Sequence, residues 1–208
     1  MSSNKFITIE GSEGAGKSTC IDFIRQWFAK HGITPLMTRE PGGTPLAEEI
    51  RELLLAQRDE PVHSDTELLL MYASRVQHCE MTIKPALNSG QWVISDRFND
   101  ASFAYQGTAR EMSLTRMTSL DEWALHGFKP DFTIFLDVPV EIGLERAGLR
   151  SSPDRFEQES MDFFHRVREG YLARANAERE RFIIIDASQS IPEVEQQLAV
   201  ALETILRA

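Results

Sequence analysis

The sequence predicts an α/β fold: a three-layer, open, parallel five-stranded sheet with helices on both faces. Two observations support this prediction. Short apolar runs recur along the chain, and longer stretches with helical periodicity separate them. This alternation is typical of βαβ units, whose strands run parallel. The predicted strands are Phe6–Glu10, Thr34–Thr38, Trp92–Asp96, Phe132–Val138 and Phe182–Asp186.

The predicted helices are separated from the strands by residues that favour turns or helix starts. Gly32 follows the first helix, Gly90 follows the third, and Pro139 and Pro192 suit helix starts. The predicted helices are Lys17–His31, Leu46–Ala56, Thr66–Ser89, Ser113–Leu125, Val140–Leu149, Met161–Ala177 and Pro192–Leu206. No repeat or flexible linker divides the chain, so we expect a single domain over residues 1–208. Because ligands bind beyond the carboxyl ends of parallel strands, the segments after the first four strands are expected to carry the chemistry.

The composition is that of a globular protein, with 42% hydrophobic and 26% charged residues. A net charge of −10 argues against a nucleic-acid polymer as partner. No apolar run approaches the roughly 20 residues that span a bilayer, so no membrane partner is expected. Cys20 and Cys79 lack a paired spacing and are interpreted as reduced thiols of a cytoplasmic protein. The 17 arginines against 5 lysines hint at phosphate binding, although a compositional bias would give the same ratio.

The segment after the first strand reads GSEGAGKS and matches the phosphate-binding pattern G-x-x-x-x-G-K-[ST] in full. Its glycines let consecutive N–H groups point into an anion-sized nest, and the following helix adds the positive end of its dipole. Lys17 is expected to reach the β- and γ-phosphates of ATP, and Ser18 to ligate Mg²⁺. A chance glycine-rich turn is the alternative, but a strand before it and a helix after it are both predicted. The predicted nucleotide-binding residues are Gly11, Ser12, Glu13, Gly14, Ala15, Gly16, Lys17, Ser18 and Thr19.

Three further segments carry a family resemblance. Residues 38–44 read TREPGGT, residues 72–77 read YASRVQ, and residues 96–107 read DRFNDASFAYQG. Together with the P-loop, these segments resemble bacterial thymidylate kinases in order and spacing, over essentially the whole chain. The resemblance implies the fold of P-loop NTPase kinases, ATP and Mg²⁺ as cofactors, and phosphorylation of dTMP to dTDP. It also implies a homodimer, with the small molecules dTMP and ATP as binding partners.

The segments after the second and third strands supply the residues expected at the acceptor phosphate. A carboxylate such as Asp96 at the end of a buried strand is costly unless it faces a cation, so we expect it to hold a Mg²⁺ water or support Arg97. An ordinary turn aspartate is the alternative. The resemblance assigns Arg97 and Arg51 to the acceptor phosphate and Pro41 to the same substrate site. A solvated helix arginine is the other interpretation of Arg51.

The third predicted helix carries the residues expected at the base. Met71, Ser74, Arg75 and His78 share one helix face by their spacing. The resemblance implies that Arg75 donates a hydrogen bond to a thymine carbonyl, which would disfavour cytosine. Met71 stands where the family usually has a stacking phenylalanine, and simple core packing is its alternative.

Three residues of the segment after the third strand are expected at the sugar and the base. Ser102 and Gln106 supply small polar groups near the base. Tyr105 matches a family tyrosine that crowds the 2′ position of the sugar, which would select deoxyribose. A buried structural tyrosine is an equally weighted interpretation of Tyr105.

A lid is predicted at about residues 146–157, where Gly, Ser and Pro accompany several arginines. The P-loop itself carries Glu13 rather than an arginine, so the chain resembles the family branch with basic residues in the lid. We therefore expect Arg150, helped by Arg146 and Arg155, to stabilise the transferring charge, with Arg146 also near ATP. A solvated charged loop is the alternative. The resemblance places Glu13 near the acceptor phosphate and Mg²⁺, and the backbone of residues 187–189 near adenine.

Two other functions compete with this interpretation. A deoxynucleoside kinase would accept a 5′-hydroxyl and need a carboxylate base after the second strand, and Glu40 could be that base. Its neighbour Arg39 has no assigned role, because it could simply pair with Glu40. A guanine-nucleotide switch would carry an N-K-x-D motif, which does not occur in the sequence.

Overall fold

The computed structural model describes residues 4–148, 155–156 and 159–208, and one parallel sheet forms its centre. The strands lie in the order β2-β3-β1-β4-β5, and every neighbouring pair is parallel. The five strands are β1 (Phe6–Glu10), β2 (Leu36–Arg39), β3 (Val93–Asp96), β4 (Phe132–Asp137) and β5 (Phe182–Asp186). The predicted five-stranded parallel sheet is confirmed.

Four strand boundaries differ from the predicted ones by one or two residues, and prolines lie at two of them. β2 was predicted from Thr34, but Pro35 has no N–H for a sheet ladder. Pairing therefore starts at Leu36, whose N–H donates to the Trp92 carbonyl at 2.7 Å. β4 ends at Asp137 rather than at Val138, which is the residue directly before Pro139.

The helices begin at the residues that local chemistry favours. Thr44 and Ser160 cap α2 and α8 with their side chains, and Ser190 forms a capping box with Glu193 at the start of α9. The helices are α1 (Lys17–Lys30), α2 (Pro45–Leu55), α3 (Ser64–His78), α4 (Lys84–Asn88), α5 (Asn99–Ser102), α6 (Leu114–Leu125), α7 (Val140–Gly148), α8 (Met161–Ala177) and α9 (Ile191–Arg207).

Two helical regions differ from their prediction. The single helix expected over Thr66–Ser89 consists of α3, a π-helical stretch at Cys79–Ile83, and α4. Pro85 lies just after the π-helical stretch, and the proline ring cannot take part in a regular α-helical hydrogen-bond ladder. The segment after β3 was predicted only as a site-bearing segment, but it is helical: α5 continues into a second π-helical stretch, Phe103–Ala109.

Apolar side chains cover both faces of the sheet. On one face, Ile7 and Ile9 of β1 pack in a core with Phe28 of α1 and Leu202 of α9. On the other face, Phe135 of β4 joins a second core that includes α8 and the Phe103–Ala109 stretch. Both faces of a parallel sheet are buried when helices cover them in this way. The predicted three-layer arrangement is therefore confirmed. None of the described helices combines the length and the apolar character needed to cross a bilayer.

Candidate active site

The P-loop forms the turn between β1 and α1. Gly14 has a φ of 69°, and a Cβ added there would lie 1.8 Å from the carbonyl oxygen of Gly143 in α7. No side chain fits this position, so the sequence places glycine where the loop passes against α7. The predicted P-loop thus has the close backbone turn that a phosphate nest requires.

The ammonium group of Lys17 lies against the backbone of the P-loop. Its Nζ donates to the carbonyl oxygens of Gly11 at 3.0 Å and Ser12 at 3.3 Å. Burial, together with repulsion from the Arg97 guanidinium, lowers the pKa of Lys17 to about 8. An ammonium group in this setting is stabilised by an anion, which supports the predicted contact with phosphate.

Three cavities surround the P-loop, and we name each by its main element. The P-loop cavity is lined by residues 13–18 together with Arg39, Glu40, Arg51, Asp96 and Arg97. The α9 cavity lies on the other side of Gly14, Ala15 and Gly16, between the loop and the start of α9. The α3 cavity, with a volume of about 100 Å³, lies beside the face of α3 that carries Arg75.

The α3 cavity brings together every residue predicted to bind the acceptor. The side chains come from four segments: the loop after β2, α2, α3 and the helical region after β3. These residues are Pro41, Arg51, Met71, Arg75, Arg97, Ser102, Tyr105 and Gln106. Their roles toward a substrate remain predictions, but their convergence on one cavity is a property of the fold.

Four residues line both the α3 cavity and the P-loop cavity: Glu13, Glu40, Arg51 and Arg97. The two cavities therefore meet at a wall that carries two guanidinium groups. Arg51 donates from Nη1 to the carbonyl oxygen of Pro41 at 3.0 Å, which argues against the solvated alternative for this residue. A phosphate group at the junction would lie beside both arginines.

Arg75 is buried and held at three points. Its Nε donates to Glu40 Oε2 at 2.7 Å, Nη1 to Ser102 Oγ at 3.1 Å, and Nη2 to the Phe98 carbonyl oxygen at 3.1 Å. The ring of Tyr72 packs 4.8 Å from the guanidinium carbon. Contacts to described residues use three of the five N–H groups of an arginine. The group is therefore rigid and still has donors for a ligand in the α3 cavity.

Glu40 is committed to the protein rather than to a substrate hydroxyl. One carboxylate oxygen accepts from Arg75, and the other lies 3.1 Å from His78 Nδ1. His78 in turn lies 2.7 Å from Thr38 Oγ1 through Nε2. Because both oxygens are occupied and the residue is buried, Glu40 is a poor general base. The deoxynucleoside kinase alternative loses the base that it needs. Arg39 does not pair with Glu40 either; it pairs with Glu48.

Arg97 lies at the junction in an unusual backbone conformation. Its φ is 70°, a left-handed conformation that costs a residue with a side chain about 1–2 kcal/mol. Its Nη2 donates to Glu13 Oε1 at 3.1 Å, and the Tyr105 hydroxyl donates to the same carboxylate at 2.7 Å. Burial raises the pKa of Tyr105 well above its usual value, so its hydroxyl keeps the proton that it donates. Strain of this kind is typical of functional sites.

Asp96 and Ser18, the two predicted Mg²⁺ ligands, line the same cavity. Asp96 Oδ1 is buried and has no hydrogen-bond partner among the described residues, and both residues line the P-loop cavity. A buried carboxylate oxygen without a donor fits a cation or its bound water. Among the described residues no cluster of three metal-ligating side chains occurs. Mg²⁺ in P-loop proteins needs none, since phosphates and waters complete its shell.

The predicted lid arginines have different positions. Arg146 donates to the carbonyl oxygens of Ala187 at 2.7 Å and Ser188 at 3.3 Å, and it lines the α9 cavity together with Thr19. This places it beside the loop expected to contact adenine. Arg150 lies outside the described residues, so its predicted role stays a prediction.

Arg155 points away from the P-loop cavity in this structure. It donates from Nε to the Leu54 carbonyl oxygen at 3.0 Å, and its Nη2 lies 2.7 Å from the buried Glu67. Glu67 also accepts from Gln106 Nε2 at 2.9 Å. In this conformation a buried carboxylate on α3 holds the guanidinium, and the predicted help of Arg155 to the transferring charge stays a prediction.

The sequence did not reveal four residues that organise the site: Glu10, Glu67, His78 and Tyr171. All four are buried. His78 was placed on the correct helix face by its spacing, but no role followed from that. The other three residues are recognised as part of the site only because they are buried. Packing between distant segments decides which residues are buried, so the local sequence does not show it.

The fold and the three cavities around the P-loop define a class of protein, the P-loop nucleotide kinases, in which a cavity on each side of the loop serves one substrate. Comparison with known proteins narrows the class. A family model described as thymidylate kinase matches residues 9–198. This chain therefore belongs to the thymidylate kinase family, and the resemblance stated from its motifs is confirmed.

Curated relatives agree with the family model over nearly the whole chain. A thymidylate kinase of Marinomonas sp. (strain MWYL1) is 52% identical over 98% of this chain and 96% of its own length. That of Vesicomyosocius okutanii is 52% identical over 99% of this chain and 100% of its own length. That of Pseudomonas putida (strain GB-1) is 48% identical over 98% of this chain and 97% of its own length.

Proposed function

We propose that this protein transfers the γ-phosphoryl group of ATP to dTMP, with Mg²⁺, and so forms dTDP. The observation that carries the proposal is the junction of the α3 cavity with the P-loop cavity, where Arg51 and Arg97 stand in the shared wall. Two arginines at this point suit an acceptor that already carries a phosphate. The names of the curated relatives support the same acceptor.

The residues of the chain divide the work between donor and acceptor. ATP lies with its base in the α9 cavity, near Arg146, and with its phosphates along the P-loop. Lys17 binds the β- and γ-phosphates, and Arg97 binds the acceptor phosphate across the junction. Ser18 and Asp96 would hold Mg²⁺, which would neutralise charge on the phosphates when bound. Arg150 supplies further positive charge to the transferring group.

Thymine is selected inside the α3 cavity. Arg75 is fixed by Glu40, Ser102 and the Phe98 carbonyl, so its remaining N–H groups have a defined direction. A thymine carbonyl accepts such a hydrogen bond, whereas the amino group of cytosine leaves the buried donor unpaired. Met71 lines the same cavity at the position of base stacking, where its sulfur can pack on an aromatic face.

A panel of acceptors tests the proposal. Purified protein with ATP–Mg²⁺ receives dTMP, dUMP, dCMP, UMP or thymidine, and ADP release is measured. We expect turnover of dTMP to exceed that of dCMP and thymidine by at least about a hundredfold, because each of the two leaves polar groups of the site unpaired. Preferred turnover of thymidine would overturn the phosphate roles of Arg51 and Arg97.

Two substitutions sharpen this test. Arg75→Met keeps an unbranched side chain but removes the donors, so the preference for dTMP over dCMP should fall. Arg25→Ala is the control, because Arg25 forms an exposed pair with Asp22 at 2.6 Å on the outer face of α1. An unchanged preference in Arg75→Met would contradict the assignment of Arg75 to the base.

We further propose that the enzyme is a cytoplasmic homodimer, as the family resemblance implies. Helices α3 and α6, with the π-helical stretch after α3, expose large apolar side chains: Leu69 at 58%, Met81 at 63%, Leu114 at 57% and Trp123 at 74%. Exposed apolar side chains of this size are typical of interfaces. Light scattering should give twice the chain mass, and Trp123→Glu should shift it toward one chain. A monomeric native protein would contradict the proposal.

A further inference from the structure

Glu10 is a buried carboxyl group at the end of β1 that lines none of the three cavities around the P-loop. It has no exposed surface, and it directly precedes the P-loop. Burial, together with repulsion from the nearby Asp100 carboxylate, raises the pKa of Glu10 to about 8. A carboxyl group is costly at such a position, so the contacts that it makes there need a physical explanation.

The two oxygens of Glu10 reach two different parts of the Arg97 region. Oε1 accepts from the backbone N–H of Phe98 at 2.7 Å, directly after Arg97. Oε2 accepts from the Tyr171 hydroxyl at 2.8 Å. That hydroxyl accepts in turn from Arg97 Nη1 at 3.2 Å. One carboxyl group therefore holds both the strained backbone beside Arg97 and, through Tyr171, the guanidinium itself.

Tyr171 is placed rigidly enough for this task. It is fully buried on α8, and its ring stacks on Phe135 of β4 with the centroids 5.0 Å apart. On the other side, Glu13 accepts from Arg97 Nη2. The two ends of the guanidinium are thus held by two separate groups, which fixes the plane of the fork. A fork that binds phosphate through two hydrogen bonds depends on such orientation.

We propose that Glu10 and Tyr171 are positioning residues that orient Arg97 toward the acceptor phosphate. The proposal rests on the proposed function, because it takes a phosphorylated acceptor as the ligand of Arg97. It adds a link from α8 and from the end of β1 to the acceptor site. Neither residue lines the α3 cavity or the P-loop cavity, so both act through Arg97.

Tyr171→Phe is the first test, because it removes one hydroxyl group and keeps the buried ring. We expect the KM for dTMP to rise about tenfold and kcat to fall, because both depend on the orientation in which Arg97 holds the acceptor phosphate. The KM for ATP should stay within about twofold, because the P-loop contacts are untouched. Glu10→Gln, which keeps the size of the side chain, should show the same division between the two substrates. A purely structural role would lower the melting temperature and leave the KM for dTMP unchanged, which would overturn the proposal.

A double-mutant cycle with Arg97→Lys shows whether the effect passes through Arg97. In the Arg97→Lys background, Tyr171→Phe should change kcat/KM for dTMP by less than about twofold, because the group it orients has gone. Tyr72→Phe is the matched control: it also removes one buried hydroxyl, which donates to Asp121 at 2.7 Å, and its effect should add to that of Arg97→Lys. Additive behaviour of Tyr171→Phe would overturn the proposal.

The same assays separate this proposal from the proposed function. If the wild-type protein phosphorylates dTMP and Tyr171→Phe matches it in KM and kcat, only the positioning role falls. If the wild-type protein neither phosphorylates dTMP nor binds it in calorimetry, both proposals fall. A wild-type protein that phosphorylates dTMP, with a Tyr171→Phe variant that binds it about tenfold more weakly, is the expected result.

Discussion

The buried pair of Glu40 and Arg75 allows a sharp prediction about stability. The two side chains meet at 2.7 Å and are only 3% and 2% exposed. Replacing Glu40 with alanine leaves the Arg75 guanidinium buried without its anion, and His78 also loses its partner. Breaking a buried pair from one side costs about 3–5 kcal/mol. For a chain of this size, that loss lowers the melting temperature by about 6–20 °C.

Denaturant unfolding measures the loss directly. Glu40→Ala should lower the free energy of unfolding by about 3–5 kcal/mol at an unchanged denaturant dependence. Glu203→Ala is the control: its pair with Arg207 is of similar length, 3.0 Å, but its side chains are 55% and 79% exposed. That change should cost less than about 1 kcal/mol. A loss below about 1 kcal/mol in Glu40→Ala would refute the argument from burial.

Three further outcomes are expected. Because the pKa of Lys17 lies at about 8, ATP binding without Mg²⁺ should weaken by up to about tenfold per pH unit above pH 8, as the protonated form that binds phosphate is lost. Calorimetry measures the ATP affinity at each pH, and Lys17→Met should abolish its dependence on pH. An ATP affinity that does not change with pH in the native protein would contradict this prediction. Gly14→Ala should destabilise more than Gly16→Ala in thermal unfolding, since an added Cβ clashes at 1.8 Å only at Gly14; equal losses would count against the close contact. Tyr105→Phe should lower kcat, because Glu13 loses the hydroxyl group that holds it. The retained ring should preserve the preference for deoxyribose. Loss of that preference would show that the hydroxyl group, not the ring, selects the sugar.

Local sequence decided much of this protein. The P-loop needs only neighbouring residues, because glycines, a lysine and a helix start within eight positions form the nest. Strand and helix periods predicted the layers. The rule that ligands bind beyond the carboxyl ends of parallel strands pointed to the segment that carries Arg97 and Ser102, and the family resemblance assigned Arg75; all three line the α3 cavity. The helical region after β3 escaped prediction, since its polar residues and its π-helical part at Phe103–Ala109 lack the usual apolar period.

Only the tertiary structure decided which charged and polar groups pair with each other. Glu40 was open to interpretation as a catalytic base until the fold placed Arg75, 35 residues away, against its carboxylate. Glu10 and Tyr171 lie 161 residues apart and meet only because α8 packs on the sheet. A buried carboxylate takes whichever donors packing brings to it, and no local pattern records them. The sequence by itself thus predicted which residues would carry the chemistry of this protein. Only the packing of distant segments determined which buried partners hold those residues in place.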